Sequence, residues 1–188
     1  QEALVWVSGG QTGDSIISGN FEATDFTKAG AGTLLLSGTN NLMVPLNTAA
    51  GGLRNLVIQE GTLKFASQSS VPQGGLINLV VNSSNSFDLN GQNITVGGLS
   101  GYGSVMNSGA ASTLTVNTGV GQTAAATTFT GTLNGNIGLT KTGNGTLTLN
   151  QPRNKDGDSL ANTYTGGTFV NAGQVRLKMH QQPFDAAI

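Results

Sequence analysis

FTKAGAGTLLLSG at residues 26–38 and LTKTGNGTLTLNQ at residues 139–151 are two copies of one phrase. Lys28 matches Lys141, Gly30 matches Gly143, Gly32 matches Gly145, Thr33 matches Thr146, Leu34 matches Leu147 and Leu36 matches Leu149, at an offset of 113 residues. A second pair follows in the same order and at nearly the same offset: VIQEGTLKF at 57–65 and VNAGQVRL at 170–177. Two matched phrases in one order mark an internal repeat, and so long an offset is expected where several coils of a solenoid make up one larger unit. Within each phrase the alternation Thr-Leu-x-Leu puts the leucines on one face of a strand. Gly or Asn-Gly then ends the strand at a corner, where positive φ costs little.

The same pattern runs along most of the chain. A two-residue period places Leu34, Leu36, Leu63, Phe65, Phe87, Leu89, Ile94, Val96, Leu114, Val116, Leu147, Leu149, Val175 and Leu177 on one face. Their neighbours are mostly Thr, Asn, Lys, Arg or Gln, which suit a solvated face. Lys28 and Lys141 read as solvated strand-edge residues, and Gly30-Ala31-Gly32 and Gly101-Tyr102-Gly103 as corners, since neither opens the strand-loop-helix unit of a phosphate cradle. Helical spacing is almost missing. A sandwich would carry longer strands and more aromatic anchors, whereas 5% of residues are aromatic and Trp6 is the single tryptophan. Frequent corners with Leu, Thr and Asn recurring in phase predict a parallel β-helix, with like residues of successive coils, Leu34 and Leu147 among them, piled around an aliphatic axis. At roughly 20–25 residues and ~4.8 Å per coil, the chain makes about seven to nine coils and a rod of roughly 35–45 Å.

The copies divide the chain into an N-terminal strand and entry segment (1–25), a first repeat unit (26–125) and a second, partial unit (126–188) with an inserted loop at 151–161. The phrases resemble the autotransporter-associated β-strand repeat, also called the passenger-associated transport repeat, of bacterial surface proteins. Its Lys-x-Gly-x-Gly-Thr-Leu-x-Leu phrase stands at Lys141 to Leu149. Its Asn-Thr-Tyr-Thr-Gly-Gly-Thr phrase stands at Asn162 to Thr168, and its Val-Asn-Ala-Gly strand at Val170 to Gly173. FDLNGQNITVGGLSGYGSV at 87–105 is similar to a phrase found between such repeats. The first copy departs from the pattern, with Asn40-Asn41-Leu42-Met43-Val44-Pro45 in place of the tyrosine phrase, and the second carries the Gln151–Ala161 insertion. The resemblance implies a right-handed parallel β-helix exported to the bacterial surface or beyond it, and it speaks to architecture more than to activity.

Composition narrows the function. Nine per cent of residues are charged and the net charge is −1, which offers no electrostatic footprint to nucleic acid or an anionic membrane. Cysteine is absent, which removes disulfides and thiolate metal sites. No apolar run approaches the ~20 residues of a membrane span. His180 is the one histidine, and among the nine acidic residues only Asp156 and Asp158 lie close together, so no catalytic set is assigned and no cofactor is expected. Asp88 alternates with Phe87 and Leu89, faces outward and has no partner marked in the sequence. Asn154, Asp156 and Asp158 are spaced like the start of a calcium loop. Ser159 and Thr165, however, stand where that loop needs Gly and a bidentate Glu, so the stretch reads as a protruding polar insertion. The segment Leu4, Val5, Trp6 and Val7 reads as a strand that could pair with another subunit, at what resembles a processed N-terminus. No amphipathic capping helix is legible at either end. The expected partners are therefore further repeats or copies of the chain stacked end to end, with surface glycans or a host protein as the alternative for an adhesin. A polysaccharide lyase or hydrolase ranks third.

Overall fold

In the computed structural model, which describes residues 2–19, 23–38, 54–70, 77–121, 123–152 and 160–178, the alternating phrases become short strands that pair with the strand one coil on. Eight of them make a first sheet, in the order β1 (Glu2–Trp6), β3 (Asp25–Ala29), β5 (Arg54–Ile58), β7 (Ile77–Val81), β10 (Gly98–Gly101), β12 (Ala126–Phe129), β14 (Thr146–Asn150) and β17 (Gln174–Lys178). A second sheet stacks β2 (Ser15–Ile17), β4 (Thr33–Leu36), β6 (Thr62–Phe65), β8 (Ser86–Asp88), β11 (Ser104–Asn117), β13 (Thr132–Thr142) and β15 (Thr163–Tyr164). The short strands β9 (Ile94–Val96) and β16 (Thr168–Val170) pair with the later parts of β11 and β13.

Every pairing is parallel, and strand numbers rise steadily across both sheets. A chain that visits two sheets alternately, each time one strand further along, circles around a common axis. The fold is a parallel β-helix. The first sheet counts eight coils among the described residues, which at ~4.8 Å per step spans about 34 Å between its outer strands. The register of β11 on β13 breaks between Asn107 and Ser112, so from the fourth coil onward the second sheet presents two separate runs of stacked strands. The coil then has three flanks.

Alternation decides what fills the axis. Leu34, Leu63, Phe87, Val105 and Leu133 succeed one another in register on the second flank, and Phe26, Leu56, Leu79 and Leu99 do so on the first. Ile94, Leu114 and Leu139 line the third. All belong to one buried cluster, in which the Phe65 and Phe87 rings meet edge to face at 6.0 Å. Leu36, Leu89, Leu147 and Leu149 are buried in it too. Outside, Thr33, Thr62, Ser86, Ser104 and Thr132 form a ladder of hydroxyls, one per coil. Asp25, Asn55 and Asn78 are linked in a side-chain ladder of their own.

The structure departs from the expectations at four places. Leu34 and Leu147 do not share a stack: Leu34 lies on β4 of the second sheet and Leu147 on β14 of the first, because 113 residues do not make a whole number of coils. Lys28 and Lys141 are not solvated but fully buried. Asp88 does point away from the axis, yet the Ser108–Ala111 bulge of β11 covers it, and it accepts from Asn90 N (2.9 Å), Ser108 N (3.0 Å) and Ser108 Oγ (2.6 Å). Leu177 follows Leu149 in the inward register but is 67% exposed, because β17 is the outermost strand of its sheet among the described residues. Val175 packs partly against the core. At the other end β1 pairs with β3 of its own chain, with Leu4 and Trp6 exposed, Val5 partly buried and Val7 buried.

Candidate functional site

The feature that the two repeat copies share is a corner closed from inside by a lysine. Lys28 stands on β3 in register with Val5 on one side and Ile58 on the other, and Lys141 on β13 with Val116 and Val170. Both are therefore core positions, and the aliphatic stems fill them. Each stem ends at a turn whose carbonyls converge on the amine. Lys28 Nζ donates to the carbonyls of Ala29 (3.2 Å) and Gly30 in its own coil and Glu60 (2.8 Å) in the next. Lys141 Nζ donates to the carbonyls of Thr142, Gly143 (2.8 Å) and Ala172 (3.4 Å), the last again one coil on. An ammonium has three donors, and each is matched to a backbone carbonyl of the corner, of which Ala29 O also accepts from Val7 N at 2.9 Å.

The backbone repeats the equivalence. Gln59 N bonds Lys28 O at 2.8 Å and Asn171 N bonds Lys141 O at 2.9 Å, while Thr62 N reaches Gly32 O and Gln174 N reaches Gly145 O. Directly over each amine sits a glycine in the left-handed region, Gly61 (φ 71°) and Gly173 (φ 70°). A Cβ on Gly61 would lie 2.6 Å from Lys28 Nζ and 2.6 Å from Gly30 O, and one on Gly173 would lie 2.9 Å from Lys141 Nζ. Lysine and glycine thus form a pair across adjacent coils.

Comparison with known families meets this geometry residue by residue. A model described as passenger-associated-transport-repeat matches residues 26–65 and 139–177. These two stretches, together less than half of the chain, are similar to that repeat. Each begins two residues before its buried lysine and ends on the strand just past its corner glycine, so one repeat is a full coil plus the overlap that closes it. The first repeat closes the corner from β3 to β4 and the second closes the corner from β13 to β14, which lie at different edges of the helix. Both matched segments therefore span a corner, although at different edges. No curated protein and no solved structure matches the chain.

Burial holds the Lys28 amine below the ordinary lysine pKa of 10.5, with the Glu60 carboxylate pulling it partly back up. Burial also lowers Lys141. Between the lowered folded value and about 10.5 the unfolded chain binds more protons than the folded one, so stability rises with pH across that window and levels off above it. Thermal melts from pH 8 upward at constant ionic strength should show a rising Tm in the natural chain. A chain with both lysines changed to Met should show a flatter slope over the same range, and equal slopes would contradict the assignment.

The amines are sealed from solvent, and their described hydrogen-bond partners are the backbone carbonyls of the corner. Asn154, Asp156 and Asp158, spaced like the start of a calcium loop but read as a polar insertion, lie outside the described residues, as does His180. Among the described residues no three His, Asp or Glu side chains gather as a metal set. The neck of the inserted loop is described: Leu160 N bonds Pro152 O at 2.8 Å.

Proposed function

We propose that this chain is a non-enzymatic rod segment of an exported passenger, lengthened end to end by further coils. The two stretches similar to the passenger-associated-transport repeat support the export and surface reading. The observation that carries the rest is at the last described coil. Val170 and Leu177 occupy inward registers beside Lys141 and Leu149, yet they are 51% and 67% exposed. Stacking another coil on β16 and β17 would bury both and pair their outer edges. Head-to-tail stacking is heterologous and does not close on itself, so it builds rods of any length. Such a rod would serve as a surface fibre or stalk.

Sedimentation velocity on the isolated chain tests the stacking. Elongated species should grow with protein concentration, and Leu177→Asp should shift them back to monomer while leaving the melting temperature of the upstream coils unchanged. A monomer at every concentration, or association indifferent to Leu177→Asp, would refute it.

A further inference from the structure

One flank of the rod carries a groove that the structural role does not use. It has a volume of about 600 Å³ and runs across the fourth to seventh coils. Its floor is part of the outer hydroxyl ladder, Ser86, Ser104 and Thr132, one hydroxyl every ~4.8 Å. Tyr102 stands on one side, 67% exposed, and Leu160 and Pro152 line the groove as well.

We infer that this groove binds a neutral oligosaccharide. Three properties of the lining select that chemistry. First, no Asp, Glu, Lys or Arg stands among the described residues that line it, so these offer no counter-charge to an acidic sugar, a phosphate or a cation. Second, the hydroxyls are set to donate outward. Asn134 Nδ2 gives its protons to Ser104 Oγ and Thr132 Oγ1, both at 2.9 Å, so each oxygen is already an acceptor and its own O–H is left to point away. These two donors stand one coil apart, ~4.8 Å, which suits a polymer that repeats hydroxyl and ring oxygens at a similar interval.

Third, the tyrosine stands on a backbone corner that is held in place. Tyr102 N and Gly103 N both bond Val81 O at 2.9 Å, and Gly101 packs so tightly on Val81 that a Cβ there would strike the Val81 carbonyl. The ring is thus an exposed aromatic platform on a fixed backbone corner, and the apolar face of a pyranose stacks on such a platform. A peptide strand is a poorer occupant. The floor strands β8, β11 and β13 are already paired within the helix, so no free edge is offered for strand addition.

The test is a ¹⁵N–¹H NMR titration of the intact chain with hexasaccharides of glucose, galactose and mannose, and with an oligogalacturonate as the acidic counterpart. Amides of residues 83–86, 102–104 and 130–132 should shift with at least one neutral probe, saturating at a Kd of about a millimolar or tighter. Tyr102→Ala should weaken that binding about tenfold, a loss of ~1.4 kcal/mol. Tyr102→Phe should retain it, and Thr132→Val should weaken it less than the alanine variant does. Three results would overturn the inference: no groove shifts with any neutral probe, groove shifts with the acidic probe alone, or unchanged affinity in Tyr102→Ala. These shifts are read on the monomer, so their failure leaves the end-to-end rod standing and failure of the rod leaves them interpretable.

Discussion

Lys28→Ala should lower the free energy of unfolding by about 3–4 kcal/mol. Two losses combine. The carbonyls of Ala29, Gly30 and Glu60 lose the donor that closes the corner, and hydrogen bonds to a charged group are worth roughly 1.5–3 kcal/mol each before the amine's return to water offsets part of the sum. Removing the stem also opens a cavity between Val5 and Ile58, which for a side chain of this length costs about 2–5 kcal/mol if the walls stay put and less as they relax. Lys28→Met separates the two losses, since it keeps the stem and removes the donors, and it should cost about half as much. Urea unfolding of the natural chain and both variants checks this. A Lys28→Ala cost below about 1 kcal/mol, the usual range for a solvated lysine, would contradict the buried assignment.

Gly61→Ala should cost about 2–4 kcal/mol, although it adds a single methyl group. Its φ of 71° charges an L-residue roughly 1–2 kcal/mol. The new Cβ would also stand 2.6 Å from Lys28 Nζ and from Gly30 O, and relieving such overpacking typically costs a further 1–3 kcal/mol. Gly173→Ala carries the same strain, but β17 is the outermost described strand of its sheet, so its coil can fray without disturbing the rest. Urea unfolding should show the Gly61 variant losing the larger share, and amide exchange should show the Gly173 variant losing protection only near β17. Equal and small effects at both sites would remove the lysine–glycine pairing from the account.

Much of the fold was legible because one signal dominates it. The repeated Thr-Leu-x-Leu phrases and their glycines specify short strands and corners, and the density of those corners points to coils. The buried lysines were legible as well, but the rule that lysine stays outside outweighed the pattern. Phe26 is two residues before Lys28 and Leu139 two before Lys141, so the alternation that puts Phe26 and Leu139 inside puts the lysines inside with them. Their recurrence beside Gly30 and Gly143 was the second clue.

Other features lie beyond a reading of short windows. Asp88 faces outward as its alternation requires, and it is buried only because four residues of β11, twenty positions later, bulge over it. The position of the two repeats on different edges depends on the summed lengths of the coils between them. That sum decides whether an offset of 113 residues returns to the same flank. The groove depends on the same phase, since Ser86, Ser104 and Thr132 align only once the coils are stacked.

Placing the repeat at the corner explains what it specifies. The interior registers tolerate Leu, Val, Ile or Phe, as the stack of Leu34, Leu63, Phe87, Val105 and Leu133 illustrates. A corner with inward carbonyls tolerates far less. It needs a long stem with three donors at its tip and no side chain above it, which only the lysine–glycine combination supplies here.

That claim is tested most directly by titrating the two amines themselves, following the lysine ε-carbons by ¹³C NMR and assigning Lys28 and Lys141 from the signals lost in Lys28→Met and Lys141→Met. In the folded chain both should titrate below 10.5, and in urea both should return to it. Titration at the ordinary value in the folded chain would contradict the lysine-closed corner and, with it, this reading of the repeat.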